Sequence, residues 1–273
     1  MENDVETVKK FYDSCPEVEW ERLQNHTAEF EITRSYLDRY IKSGDTVLDM
    51  GGGPGRYSLY LASKGCDVTL VDLSQSNVDF ALKKAEEKGI RITARQGDAR
   101  YIDKNIAEKF DHVLLMGPLY HLLEKNDRKT AVSACLNCLR DGGILYASFI
   151  SSFAGVIYYM KEGIDIMTID PTERKYMRQV ARDEDFSGLA FTMAYFARMQ
   201  DIQPFFEQFG LKKLHLFGQE GIISPCEDKI NAQSEQAVKE WIDISKLLCE
   251  NENYMSYSEH FMYIGMKGAT KNV

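Results

Sequence analysis

The chain has 273 residues, 44% of them hydrophobic and 27% charged, with a formal net charge of −9. That balance suits one large α/β domain with elaborations and excludes a disordered or fibrous chain. The acidic excess repels phosphate backbones, and no stripe of Lys and Arg overrides it, which disfavours a nucleic-acid substrate.

Residues 3–41 read as helical with a break at Cys15-Pro16, and Leu23, Phe30, Leu37 and Ile41 recur at helical spacing. Strands and helices then alternate. TVLDM (46–50) is a strand, GRYSLYLASKG a helix, DVTLVDL (67–73) a strand, SNVDFALKKAEEKG a helix closed by Gly89, and IRITARQGD a third strand. FDHVLLM (110–116) supplies a fourth strand, DRKTAVSACLNCLRDGG a helix, and GGILYASFI a fifth strand. Such alternation implies right-handed crossovers and a parallel sheet covered on both faces.

The pattern pauses over 151–198, where Asp170-Pro171-Thr172-Glu173 announces a helix by N-cap, proline and capping-box glutamate. It resumes with the helix DIQPFFEQFG and the strand LKKLHLF. A last helix near 232–250 should place Ala237, Trp241 and Leu248 on one side, and SEHFMYIGMK closes the sheet. The chain therefore reads as a single domain over 1–273. It divides into an N-terminal helical lid (1–44), a core (45–150), a cap insertion (151–198) and a C-terminal part of the sheet (199–267).

Residues 142–160 carry no charge, but their glycines and serines parse better as a buried strand followed by a capped segment than as a membrane span. The N-terminus lacks the basic-then-apolar order of a signal peptide, and six scattered cysteines suit a reduced, cytoplasmic setting. Cys135 and Cys138 form a CxxC, yet with Ala131 and Leu139 they line one helix face and no second ligand pair accompanies them. A packed core helix is expected there, and no metal site.

The stretch VLDMGGGPGRYSLYLASKG (47–65) carries the function. Gly51, Gly53 and Gly55 let the backbone turn tightly and approach a ligand closely, at the strand end where open α/β sheets bind. The dinucleotide fingerprint G-x-G-x-x-G/A is not met, because Arg56 and Ser58 occupy its third position in the two registers. Asp49 would repel a pyrophosphate and attract an ammonium group. Asp72 ends the second strand, where a carboxylate accepts ribose hydroxyls, and Asp98 ends the third, where it can accept from an adenine amine.

Together, D49-M-G-G-G-P-G55, Asp72 and Gly97-Asp98 resemble the motif series of class I S-adenosylmethionine-dependent methyltransferases of the small-molecule type, well over about 45–150 and loosely in the flanks. The resemblance implies a Rossmann-like, doubly wound seven-stranded sheet, mostly parallel with the last strand antiparallel. It implies S-adenosylmethionine as cofactor, with S-adenosylhomocysteine as its product. Asp49 and the glycine loop would meet the methionine moiety, Asp72 with Leu73 the ribose, and Asp98 with Ala99 the adenine; Met116 completes the cofactor set.

Methyl transfer needs an in-line acceptor, dry surroundings and, for many acceptors, a proton acceptor. The fourth strand ends MGPLYHLLEKNDR, without the Asn- or Asp-Pro-Pro-Tyr motif of base N-methylation. His121 is the candidate general base and Tyr120 the candidate positioning group. Tyr12, Trp20 and Arg22 from the N-terminal segment, with Phe153 and Tyr158 from the insertion, are the expected substrate contacts. His215 and His260 read as structural. A small molecule is the expected acceptor, with no membrane partner. An RNA or protein methyltransferase and a non-catalytic S-adenosylmethionine-binding module are the alternatives.

Overall fold

The computed structural model describes residues 4–184 and 186–269. Its centre is a sheet built from β1 (Thr46–Met50), β2 (Asp67–Asp72), β3 (Thr93–Gln96), β4 (Phe110–Leu115), β5 (Leu139–Ser151), β6 (Phe186–Leu189), β7 (Met193–Ala197), β8 (Leu211–Gly218) and β9 (His260–Lys267). The expected seven strands are present in the order β3-β2-β1-β4-β5-β9-β8, and β9 runs antiparallel to both of its neighbours. Apolar runs such as Val47, Leu48 and Met50 in β1 are fully buried because helices cover both faces.

The structure adds two strands that short, punctuated sequence concealed, making the sheet nine-stranded. β6 and β7 form an antiparallel hairpin in the insertion, and β7 pairs in parallel with the end of β5 through Ile150↔Phe196 and Ser151↔Ala197. The last β5 residue paired with β4 is Ala147, opposite Leu115, so the hairpin continues the β4 flank beyond the carboxyl end of β4. That overhang brings the insertion to the site. The helix Pro171–Val180 begins where its capping sequence predicts, with Asp170 Oδ1 accepting from the backbone N–H groups of Thr172 and Glu173 at 2.7 and 3.3 Å.

Before the sheet stand three helices, Asp4–Asp13, Pro16–Asn25 and Thr27–Tyr40. The break at His26 goes beyond the sequence reading, and its cause is remote. Glu227 Oε1 accepts the Ala28 N–H at 2.7 Å, capping the third helix from the other end of the chain. At the C-terminal end, the helix Glu235–Leu248 is rotated from expectation: Ile242, Ser245 and the following Cys249 are buried, whereas Trp241 is 48% exposed. Cys135 and Cys138 lie buried in the helix Lys125–Cys138, and Leu139 opens β5. Among the described residues no helix is long and apolar enough to cross a membrane, and no group of three metal-ligating side chains comes together.

Candidate active site

One cavity lies beyond the carboxyl ends of β1, β2, β3 and β4, roofed by the N-terminal helices through Val5, Val8, Tyr12, Arg22 and Leu23. Its floor begins at the glycine loop. Gly51 sits at φ 77°, and a Cβ there would lie 2.4 Å from the Pro118 ring, so the β1 and β4 loops meet only because residue 51 has no side chain. Gly53, at φ 55°, has nothing within 4 Å of an added Cβ and presents bare backbone to the cavity. Gly55 instead faces the helix Gln75–Glu87, where an added Cβ would come 3.0 Å from Ala81 Cβ.

Asp72, 7% exposed, is held from both oxygens. Oδ2 accepts the Gly53 N–H at 2.9 Å, while Oδ1 accepts the Ser74 N–H at 2.9 Å and Asn77 Nδ2 at 3.2 Å. Burial raises its pKa, and those donors oppose the rise. Asn77 Oδ1 beside it is buried with no hydrogen-bond partner, an acceptor waiting for a donor. Asp49 is buried under the loop, where it accepts Ser58 Oγ at 2.7 Å; burial lifts its pKa to about 6, with the charge of Asp72 adding to the effect. Asp98 caps the turn Ala99–Tyr101 and is paired with Arg100, whose Nη2 lies 2.7 Å from Oδ2, while Arg100 also reaches Asp127 at 2.7 Å. Leu73, Ala99 and Met116 line the same cavity. The strand-end residues singled out from the sequence therefore share one wall, except Gly55, which packs beneath it.

The other residues divide. Tyr120 lines the cavity and donates to the Met116 carbonyl at 3.2 Å. Tyr12 and Arg22 line it as well, Arg22 in a forked pair with Glu19 at 2.7 and 2.9 Å. Trp20, Phe153 and Tyr158 do not line it. Trp20 packs on Phe80 with ring centroids 5.9 Å apart, and Phe153 and Tyr158 are 39% and 53% exposed. Their aromatic character signalled burial of some kind, but helix phase turned them elsewhere.

His121 is fully engaged. Its Nδ1 lies 3.0 Å from the Met193 carbonyl, which can only accept, so Nδ1 carries the hydrogen. Burial lowers its pKa to about 4, leaving the ring neutral at physiological pH, and Nε2 therefore accepts the Tyr12 hydroxyl at 2.9 Å. The ring thus joins the first helix, the β4 loop and the insertion hairpin, with neither nitrogen left for a substrate.

At the far end the cavity is lined by Glu29, Ser148, Gln219 and His260, none of which the sequence reading singled out as functional. Ser148 Oγ donates to Gln219 Oε1 at 2.7 Å, and Gln219 Nε2 donates to Thr33 at 3.0 Å, which fixes the amide orientation. Glu29 accepts the Tyr57 hydroxyl at 3.1 Å. Burial works to raise the Glu29 pKa, but the positive groups of His260, His26, Arg22 and Arg56 outweigh it and the carboxylate stays ionised. These residues come from four distant segments and have no local motif.

Residues 47–143 match the family model described as "Methyltransferase domain". A glycine/sarcosine N-methyltransferase of Parasynechococcus marenigrum is 30% identical over 129 residues, 46% of each chain. A ubiquinone biosynthesis O-methyltransferase of Coxiella burnetii is 33% identical over 129 residues, 46% of this chain and 53% of that protein. The chain thus spans about half the length of the curated relatives it matches. Among solved structures, the magnesium protoporphyrin IX methyltransferase of Synechocystis superposes with a TM-score of 0.58 at 15% identity, covering 97% of this chain and all of that one. Residues 47–143 thus resemble a methyltransferase domain, and the chain shares the fold of class I S-adenosylmethionine-dependent methyltransferases.

Proposed function

We propose that this protein is a methyltransferase that uses S-adenosylmethionine to methylate a small molecule. The observation that carries the reading is Asp72 at the cavity wall, its Oδ2 oriented by the Gly53 N–H and its Oδ1 held by the Asn77 amide, which lines the cavity beside it. A carboxylate with two oxygens at the end of β2 fits the two hydroxyls of a ribose. The other residues fit the remainder of the cofactor. Asp49 and the bare backbone of Gly51 and Gly53 suit its amino-acid end, Leu73, Ala99 and Asp98 its adenine, and Met116 its middle. Bound there, it supplies a methyl group already activated on a positively charged sulfur.

The chain's own groups do the rest. Tyr12, Val5, Val8 and Leu23 roof the cavity and exclude water. Tyr120, held at Met116, walls the side on which an acceptor would enter, and its ring is a weak electrostatic partner for a cation. The chamber bounded by Glu29, Ser148, Gln219 and His260 supports a small acceptor, as do the small-molecule substrates in both relatives' names. All six cysteines are free, which fits a reducing cytoplasm.

Calorimetric titration with S-adenosylmethionine, S-adenosylhomocysteine and NAD tests the reading. Micromolar binding of the adenosyl ligands, lost in Asp72→Ala, is expected. Binding of NAD in preference to both would overturn it.

A further inference from the structure

His121 is engaged at both nitrogens, but the cavity holds a second imidazole. His260 is the first residue of β9, next to the β5 end, and Glu220 grips it twice. Glu220 Oε2 accepts the His260 backbone N–H at 3.0 Å and Oε1 lies 2.6 Å from Nδ1. Glu220 is 1% exposed, so this carboxylate is committed to that one residue. With Nδ1 turned to a carboxylate, the lone pair of the neutral ring is on Nε2. Among the described residues nothing is hydrogen-bonded to Nε2, and the ring forms part of the cavity wall with Ser148, Gln219 and Tyr120, whose ring centroid is 6.2 Å away.

We propose that His260, oriented by Glu220, is the acid–base residue of this site, and that the methyl acceptor is therefore protic, presenting an O–H or N–H that must give up its proton. The proposal rests on the methyl-transfer reading above. The acceptor's proton passes to His260 Nε2 as the acceptor atom's electron pair forms the bond to the methyl carbon. The pair of the breaking carbon–sulfur bond stays on sulfur, whose positive charge is thereby neutralised, and the imidazolium later releases its proton to water.

The electrostatics suit that role. Burial disfavours the charged ring, but Glu220, by charge and hydrogen bond, together with Glu29 and Glu259, raises the His260 pKa to about 9. Tyr120 also lies against the ring, its own pKa pushed up by burial. His260 thus rests protonated at neutral pH. With a positive sulfur bound in the same cavity, a second cation would be disfavoured, so the His260 pKa would fall when the charged cofactor is bound and would not fall with the neutral product.

This coupling is measurable without knowing the acceptor. Affinities for S-adenosylmethionine and S-adenosylhomocysteine are taken from pH 7 to 9.5 in the wild type, His260→Gln and Glu220→Gln. The ratio of the two affinities should rise with pH, by about tenfold for each pKa unit the cation removes from His260. His260→Gln should lose that part of the rise; the ligands' own amino groups titrate alike in both proteins and cancel in the comparison. Glu220→Gln should move the rise to lower pH, because the carboxylate that holds the His260 pKa up is gone. Identical ratios in the wild type and His260→Gln, with homocysteine-ligand affinity retained, overturn the proposal; if His260→Gln does not fold, an unshifted Glu220→Gln profile does so. Failure of both ligands to bind the wild type instead defeats the methyl-transfer reading. Methyl transfer to catechol or to sarcosine, assayed separately, supports a protic acceptor and tells oxygen from nitrogen, whereas transfer to dimethyl sulfide, which has no proton to give, overturns it.

Discussion

Tyr12→Phe removes a single oxygen, and the structure says what that oxygen does. It donates to His121 Nε2 at 2.9 Å, on a ring 8% exposed whose other nitrogen is bonded to Met193 of the insertion. Without the donor, a buried acceptor is left unsatisfied, at a cost of about 1–3 kcal/mol, or roughly 5- to 150-fold in an equilibrium. If the first helix stays docked in the free protein, the loss appears as a lower Tm, by about 2–4 °C per kcal/mol for a domain of this size. If the helix docks only over a ligand, the same loss appears as weaker S-adenosylhomocysteine binding. Melting curves with and without that ligand separate the two cases. A variant that melts and binds as wild type refutes the latch.

The same ring sets a pH dependence. Burial lowers the folded His121 pKa from 6.5 to about 4, so between those values the unfolded chain binds a proton that the folded chain does not. The stability linked to this ring is therefore complete above about pH 6.5 and drains as pH falls towards 4, by at most about 3 kcal/mol. His121→Asn should remove that slope from a denaturant series run between pH 4 and 7.

Three further outcomes are expected. Gly51→Ala should destabilise the fold by about 2–4 kcal/mol, because its Cβ meets the Pro118 ring at 2.4 Å in a positive-φ conformation, read as a lower denaturation midpoint. Gly53→Ala has open space around the new Cβ but keeps the strain of φ 55°, so it should cost about 1 kcal/mol of stability, less than Gly51→Ala, together with ligand affinity, as paired calorimetry and melting would show. Cofactor affinity should fall as pH drops through about 6, where buried Asp49 takes a proton and stops attracting the ligand's ammonium group, and Asp49→Asn should bind weakly at every pH.

What the sequence reveals and what it hides follow one physical rule. The Asp72 turn and the Asp170 cap are readable because most of their partners are local: Asp72 meets Ser74 and Asn77 within five residues, and Asp170 caps its own helix. The break at His26 is hidden because its cap, Glu227, arrives from the far end of the chain. His260 looks structural in β9 because the carboxylate that orients it, Glu220, comes from just past the neighbouring strand β8, 40 residues away in sequence. His121, next to Tyr120 at the end of β4, invites the role of base, and only the fold shows Tyr12 and Met193 closing on both nitrogens. Cofactor contacts on successive strand ends recur at regular intervals and survive as motifs. The acceptor chamber is instead assembled from the third helix, the middle of β5, the turn after β8 and the start of β9, so no short pattern records it. On this reading, acceptor specificity can change by substitutions at Glu29, Ser148, Gln219 or His260 that leave every cofactor motif intact.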